Sequence, residues 1–191
     1  MLKRLFLVVC LFPMISFAQK GIGVEINSTP QEYVEHIVAT WGVDKDKIVY
    51  ITDETSMFKL SRSIQGSLLS FTQGPLSTSA DILNGKVTEA GKRKKSTCGL
   101  SLNNLDIDHI KKYLKKGKNY QKLTLKRMSD NSAYEIGEDL TTVLMYSQKL
   151  DYVIGEYFQI IKQLEAEDVD YMILCFDDEI TRQIPGALSN N

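Results

Sequence analysis

The sequence predicts an α/β protein, a mixed β-sheet flanked by helices, on three observations. Tyr171 to Phe176 are six consecutive apolar or aromatic residues, followed at once by Asp177, Asp178 and Glu179. Such a run reads as a buried central strand whose end reaches the surface. The preceding segment, residues 151–167, places Ile154, Tyr157, Phe158, Ile161 and Leu164 on one helical face. The order helix, acidic turn, apolar strand and terminal acid also occurs at residues 32–54, which end Ile48-Val49-Tyr50-Ile51-Thr52-Asp53-Glu54. Short matches of this kind more often repeat the same local physics than record an internal duplication, and we read the similarity that way.

The chain opens with a basic Met-Leu-Lys-Arg, runs uncharged from Leu5 to Ile15 and reaches Ser16-Phe17-Ala18. A basic start, an apolar stretch of about 7–15 residues and small residues before a cut are the marks of a secretory signal peptide. The expected product is a signal peptide over residues 1–18 and one exported α/β domain over 19–191, periplasmic or extracellular. A subdivision near residue 120 is the alternative. The apolar run is shorter than the roughly 20 residues of a spanning helix and contains Pro13, and no later segment is long and apolar enough to cross a membrane.

Loss of Lys3 and Arg4 would take the formal net charge from −1 to −3, a balance that does not suggest nucleic acid. The distribution is uneven. Residues 92–127 hold twelve Lys or Arg against two Asp, whereas residues 128–191 hold thirteen Asp or Glu against three Lys or Arg. Such polarity can steer a charged partner, or set two parts of one fold facing each other.

From the start of the mature chain, Ile22, Val24 and Ile26 alternate as a short strand or extended arm. Thr29 as N-cap, Pro30 at the first helical position and Glu32 in the first turn predict a helix to Trp41, ended by Gly42. Val34, Ile37, Val38 and Trp41 share its inner face. A charged turn at 44–47 leads into the strand 47–52. Residues 55–65 predict a helix, with Phe58, Leu60 or Ser61, and Ile64 inward; 68–71 predict a short strand, and 73–79 a loop. Ile82 and Val87 flank Asn84-Gly85, the pair that a type I′ turn demands, and predict a β-hairpin. Asp106 caps a predicted helix running to Lys116, with Ile107, Ile110, Tyr113 and Leu114 inward and its lysines outward. Residues 120–126 alternate as a strand, Tyr134 and Ile136 suggest another, and Thr141–Tyr146 a buried one. The tail beyond Ile180 carries Pro185-Gly186.

The Asn84-Gly85 hairpin and the helix after it resemble the closing half of a thioredoxin fold, with residues 29–71 able to supply the front half. Residues 122–125, Ile136 and Val143-Leu144-Met145-Tyr146-Ser147, followed by a helix, are similar to the opening of exported thioredoxin-like redoxins of the TlpA type. The resemblance implies a fold whose catalytic centre is missing. No C-x-x-C occurs, Gln148-Lys149-Leu150 stand where the cysteine pair would follow Ser147, and Pro75 lies several residues before the hairpin. Thiol–disulfide exchange needs an attacking thiolate and a resolving partner together.

Candidate chemistry is sparse. Cys98 and Cys175 survive signal cleavage, Cys98 in a polar stretch and Cys175 in mid-strand. Either is a candidate lone catalytic thiol, and a disulfide between them is the less favoured pairing. Asp53, Asp177, Asp178 and Glu179 follow apolar strands, where carboxylates could hold Mg²⁺ or Ca²⁺, or simply cap the strands and open the next helices. His36 and His109 lack a cysteine or histidine at ligand spacing. Lys92, Arg93, Lys94 and Lys95 form a basic loop that could meet an anionic partner. No P-loop or G-x-G-x-x-G is present, and no cofactor is expected. The leading expectation is a non-catalytic binding or accessory protein, with an unidentified protein or anionic partner. A thiol-dependent redoxin relative or a divalent-metal hydrolase is the alternative.

Overall fold

The computed structural model describes residues 28–53, 60, 68–78, 107–112, 114–116 and 120–185. The expected signal peptide, arm, Asn84-Gly85 hairpin, Cys98 and Lys92–Lys95 loop lie outside them.

Helix α1 (Pro30–Trp41) begins as its sequence demands. Thr29 Oγ1 accepts from the Glu32 amide while the Glu32 carboxylate accepts from the Thr29 amide, a reciprocal capping box. Gly42 ends the helix at φ +64, a left-handed position that costs glycine little, and its amide donates to Val38 O. The inner face is broader than the spacing predicted: Tyr33, Val34 and Ile37 are buried, and Val38 and Trp41 pack partly against the same core. A 3-10 turn (Lys45–Lys47) then feeds strand β1 (Ile48–Ile51).

Strand β2 (Leu69–Gln73) and strand β3 (Leu76–Ser77) form a hairpin where the sequence predicted a loop. Gly74 has φ +52, and proline follows with its φ fixed negative by its ring; positive φ at the first central position alone is the type II′ pattern. The predicted Asp106–Lys116 helix is also shorter. Helix α2 (Ile107–Lys112) stops, and Lys115–Lys116 pair with β3 as strand β4. The edge of β3 supplies a backbone ladder for these two residues. Both lysine side chains are exposed at the end of the sheet, where charge discourages further pairing.

The predicted strand over 120–126 divides likewise. Tyr120–Lys122 is a 3-10 turn anchored by the buried Tyr120 hydroxyl against Ser70 Oγ at 2.8 Å. Strand β5 (Leu125–Arg127) follows, and strand β6 (Ala133–Tyr134) returns beside it without reaching Ile136. Strand β7 (Thr141–Tyr146), helix α3 (Asp151–Glu165), strand β8 (Asp170–Cys175) and the short helix α4 (Asp178–Thr181) complete the order, the first three as predicted.

The eight strands among the described residues form one mixed sheet in the order β4-β3-β2-β7-β8-β1-β5-β6. Its centre is parallel: β7 pairs with β8 from Thr141↔Asp170 to Tyr146↔Cys175, and β1 joins the other side of β8 with Ile48↔Ile173. Antiparallel strands β2 and β5 flank this core. The two similar helix–turn–strand segments therefore end in adjacent parallel strands. Period-two alternation sends Ile48 and Tyr50 to one face and Val49 and Ile51 to the other. Buried residues of α1, α2, α3 and α4 cover the first face. On that face Trp41 stacks on Phe158 with ring centroids 4.6 Å apart, and Gly155 makes room: a Cβ there would meet the Trp41 ring at 3.3 Å. The opposite face carries a smaller cluster that includes Leu60, Tyr120, Leu125 and Tyr134.

Candidate functional site

The carboxyl ends of β7 and β8 meet the first turns of α1, and there lies Asp177, the one formally charged residue buried among the described residues. Strand β8 ends at Cys175, so Asp177 arrives where β7 has just ended at Tyr146-Ser147. The Asp177 side chain is only 2% exposed. Its Oδ2 accepts from the Tyr33 hydroxyl at 2.6 Å and from the Gln148 amide at 2.8 Å, and its Oδ1 accepts from Ser147 Oγ at 2.5 Å. Three donors from two separate segments thus replace the water that a buried carboxylate gives up. Asp177 occupies the N-cap position of α4, yet its side chain makes no capping bond; only its backbone carbonyl receives the Ile180 and Thr181 amides. The carboxylate is turned into the protein.

Cys175 extends the chain of donors. Its thiol donates to the Tyr33 hydroxyl at 3.2 Å, which passes its own proton toward Asp177. Burial pushes the thiol up to about 12, with the charges of Asp177 and Asp178 acting in the same direction. Burial first, then the neighbouring Cys175 and Asp177, also raises the Tyr33 phenol far above its ordinary value. Both groups are held neutral. Cys175 is a free, buried cysteine, the environment of a structural thiol rather than of an attacking thiolate.

A second network lies alongside. His36 Nε2 is 2.6 Å from Asp151 Oδ2, and the Tyr146 hydroxyl donates to Asp151 Oδ1 at 2.5 Å. The other ring nitrogen, Nδ1, is 3.5 Å from Thr40 Oγ1. This half-buried arrangement ties α1 to the start of α3 and to the end of β7. Burial raises the Tyr146 phenol, and its bond to Asp151 adds to the effect.

The predicted site residues separate. Asp178 pairs with Arg182 one helical turn later at 3.7 Å, and Glu179 accepts from Lys149 at 2.5 Å, which lowers the Glu179 carboxyl and raises the Lys149 amine. Asp53 is exposed at the end of β1. Among the described residues no group of three or more His, Cys, Asp or Glu is placed to hold a metal ion. Sequence reasoning placed Asp177 at this strand end and Cys175 in mid-strand, whereas β8 ends at Cys175; it missed Tyr33, which joins them. The available signal was its spacing: Tyr33 shares a helical face with Val34 and Ile37, so its hydroxyl had to find a buried acceptor.

No protein-family model matches the chain, and neither a curated protein nor a solved structure does.

Proposed function

We propose that this is an exported, non-catalytic binding or accessory protein, built on a thioredoxin-like fold whose redox centre is missing. The observation that supports it most is the closed end of β8. A redoxin relative needs an accessible thiolate, and a metal hydrolase needs carboxylate oxygens free to ligate. Here Cys175 is buried with its thiol pushed up to about 12, and both Asp177 oxygens accept from Tyr33, Ser147 and Gln148. These groups hold α1, β7 and β8 together. The signal-like start, residues 1–18, supports export.

The test is native alkylation at neutral pH with each cysteine mapped by mass spectrometry, alongside thermal melting with and without Mg²⁺ and Ca²⁺. Cys175 is expected to react only after denaturation, no native thiol to react rapidly, and the melting curve to ignore both ions. A fast native thiol, at Cys98 or Cys175, would overturn the reading in favour of a thiol enzyme. A divalent-ion shift abolished by Asp177→Asn would do so in favour of a hydrolase.

A further inference from the structure

A cleft of about 390 Å³ opens on the sheet face opposite the helices, beside the carboxyl end of β1. The Thr52 amide donates to Thr124 O at 3.0 Å, which brings the segment before β5 against that strand end. Tyr120, Leu123, Tyr134 and Ile136 supply aromatic and aliphatic walls, and Thr124 and Glu135 are exposed lining groups. The volume corresponds to roughly a dozen water molecules, enough for one substituted ring.

Among the described residues Glu135 is the one formally charged group lining the cleft, and the nearby Glu138 is held by Gln121 Nε2 at 3.0 Å. Burial, with Asp170 adding to it, pushes the Tyr134 phenol up to about 12, so that wall stays neutral. Arg127 does not line the cleft. Its guanidinium lies 5.2 Å from the Tyr134 ring centroid and donates to Ser132 Oγ and Ala133 O within its own turn. Apolar walls with a carboxylate and, among the described residues, no lining cation match an amine carried on a flat apolar body, because the carboxylate attracts positive charge while the walls take the apolar body.

We propose that this cleft binds a small organic cation, a primary amine carried on a single aromatic ring, with the ring between Tyr120, Leu123, Tyr134 and Ile136 and the ammonium at Glu135. The proposal deepens the binding reading above by naming a site and a ligand class.

The experiment titrates phenethylamine into the ¹⁵N-labelled full chain and compares 3-phenylpropionate, an anion on the same ring. Phenethylamine is expected to shift the Leu123, Thr124, Glu135 and Ile136 amides and to saturate at millimolar concentration, while the anion leaves them in place. Glu135→Gln, an exposed and isosteric change, should weaken the amine about fivefold, the effect of one solvent-accessible charge pair. Absence of saturable shifts, equal binding of the anion, or an unchanged affinity in Glu135→Gln would each overturn the proposal. Those failures would leave the non-catalytic reading standing. A rapidly alkylated native thiol would instead sink that reading without touching the cleft titration.

Discussion

Asp53 and Asp177 stand in nearly the same sentence of the sequence, each an acid after an apolar strand, and the fold treats them in opposite ways. Asp177 follows β8, which has parallel neighbours on both sides and α1 packed at its end, so the carboxylate is buried and saturated. Asp53 follows β1, whose outer neighbour β5 runs antiparallel. There the Thr52 amide and Thr52 Oγ1 both donate to Thr124 O. Asp53 is left at the surface. A strand-end acid is thus a buried clamp or an exposed surface group according to its neighbours in the sheet, which its own sequence does not specify.

The largest effect expected from this contrast is at Asp177. Asp177→Ala strands the Tyr33 hydroxyl, Ser147 Oγ and the Gln148 amide together, and unmet buried donors cost about 1–3 kcal/mol each. Some of these groups will find water, so a loss of about 3–5 kcal/mol is expected in urea unfolding. In a domain of this size that lowers the melting temperature by roughly 6–20 °C. A loss below about 1 kcal/mol would break the comparison, because the carboxylate would then not be holding α1 to the strand ends.

Next in size is the alkaline limb. Cys175 keeps its proton in the folded state up to about 12, whereas an unfolded thiol ionises near its ordinary value of 9.0. The folded value is the raised one. The contribution of this thiol is therefore complete below the unfolded value and is lost as pH climbs from there toward the folded one. The expected slope is about 1.4 kcal/mol of stability per pH unit across that window. Tyrosines such as Tyr33 begin to add to the fall about a unit higher. Cys175→Ala should remove the first part of the slope, and an unaltered slope would show that the thiol is open to solvent. Tyr33→Phe keeps the ring and removes the hydroxyl that joins Cys175 to Asp177. It should cost about 1–2 kcal/mol, less than Asp177→Ala because Ser147 and Gln148 still serve the carboxylate.

Much of the scaffold was readable in the residues, for identifiable reasons. Thr29, Glu32 and Gly42 are local signals with local causes, and the continuous apolar runs of β7 and β8 suit strands covered on both faces. The misreadings lie where pairing across the sheet overrides local preference. Lys115 and Lys116 sit in a helical pattern but are taken by the edge of β3, and Gly74-Pro75 is a loop signal that two strands turn into a hairpin. The candidate site was half legible for the same reason. Asp177 could be placed at a strand end and Cys175 within the strand, but their hydrogen-bond partners come from Tyr33, more than a hundred residues earlier, and from the end of β7.

The smallest expected effect sharpens the comparison most. Asp53→Ala removes the same functional group from the corresponding position of the neighbouring parallel strand. Asp53 is exposed, and substitutions at exposed positions stay within about 0.5 kcal/mol. Joined to Asp177→Ala, it should act independently, so the double variant should be as destabilised as Asp177→Ala alone to within about 0.5 kcal/mol. A loss at Asp53 approaching that at Asp177 would mean that the end of β1 is also closed in solution. A coupling well above about 0.5 kcal/mol would mean that the two strand ends act as one charged unit, in which case the sheet neighbours would not be what separates them.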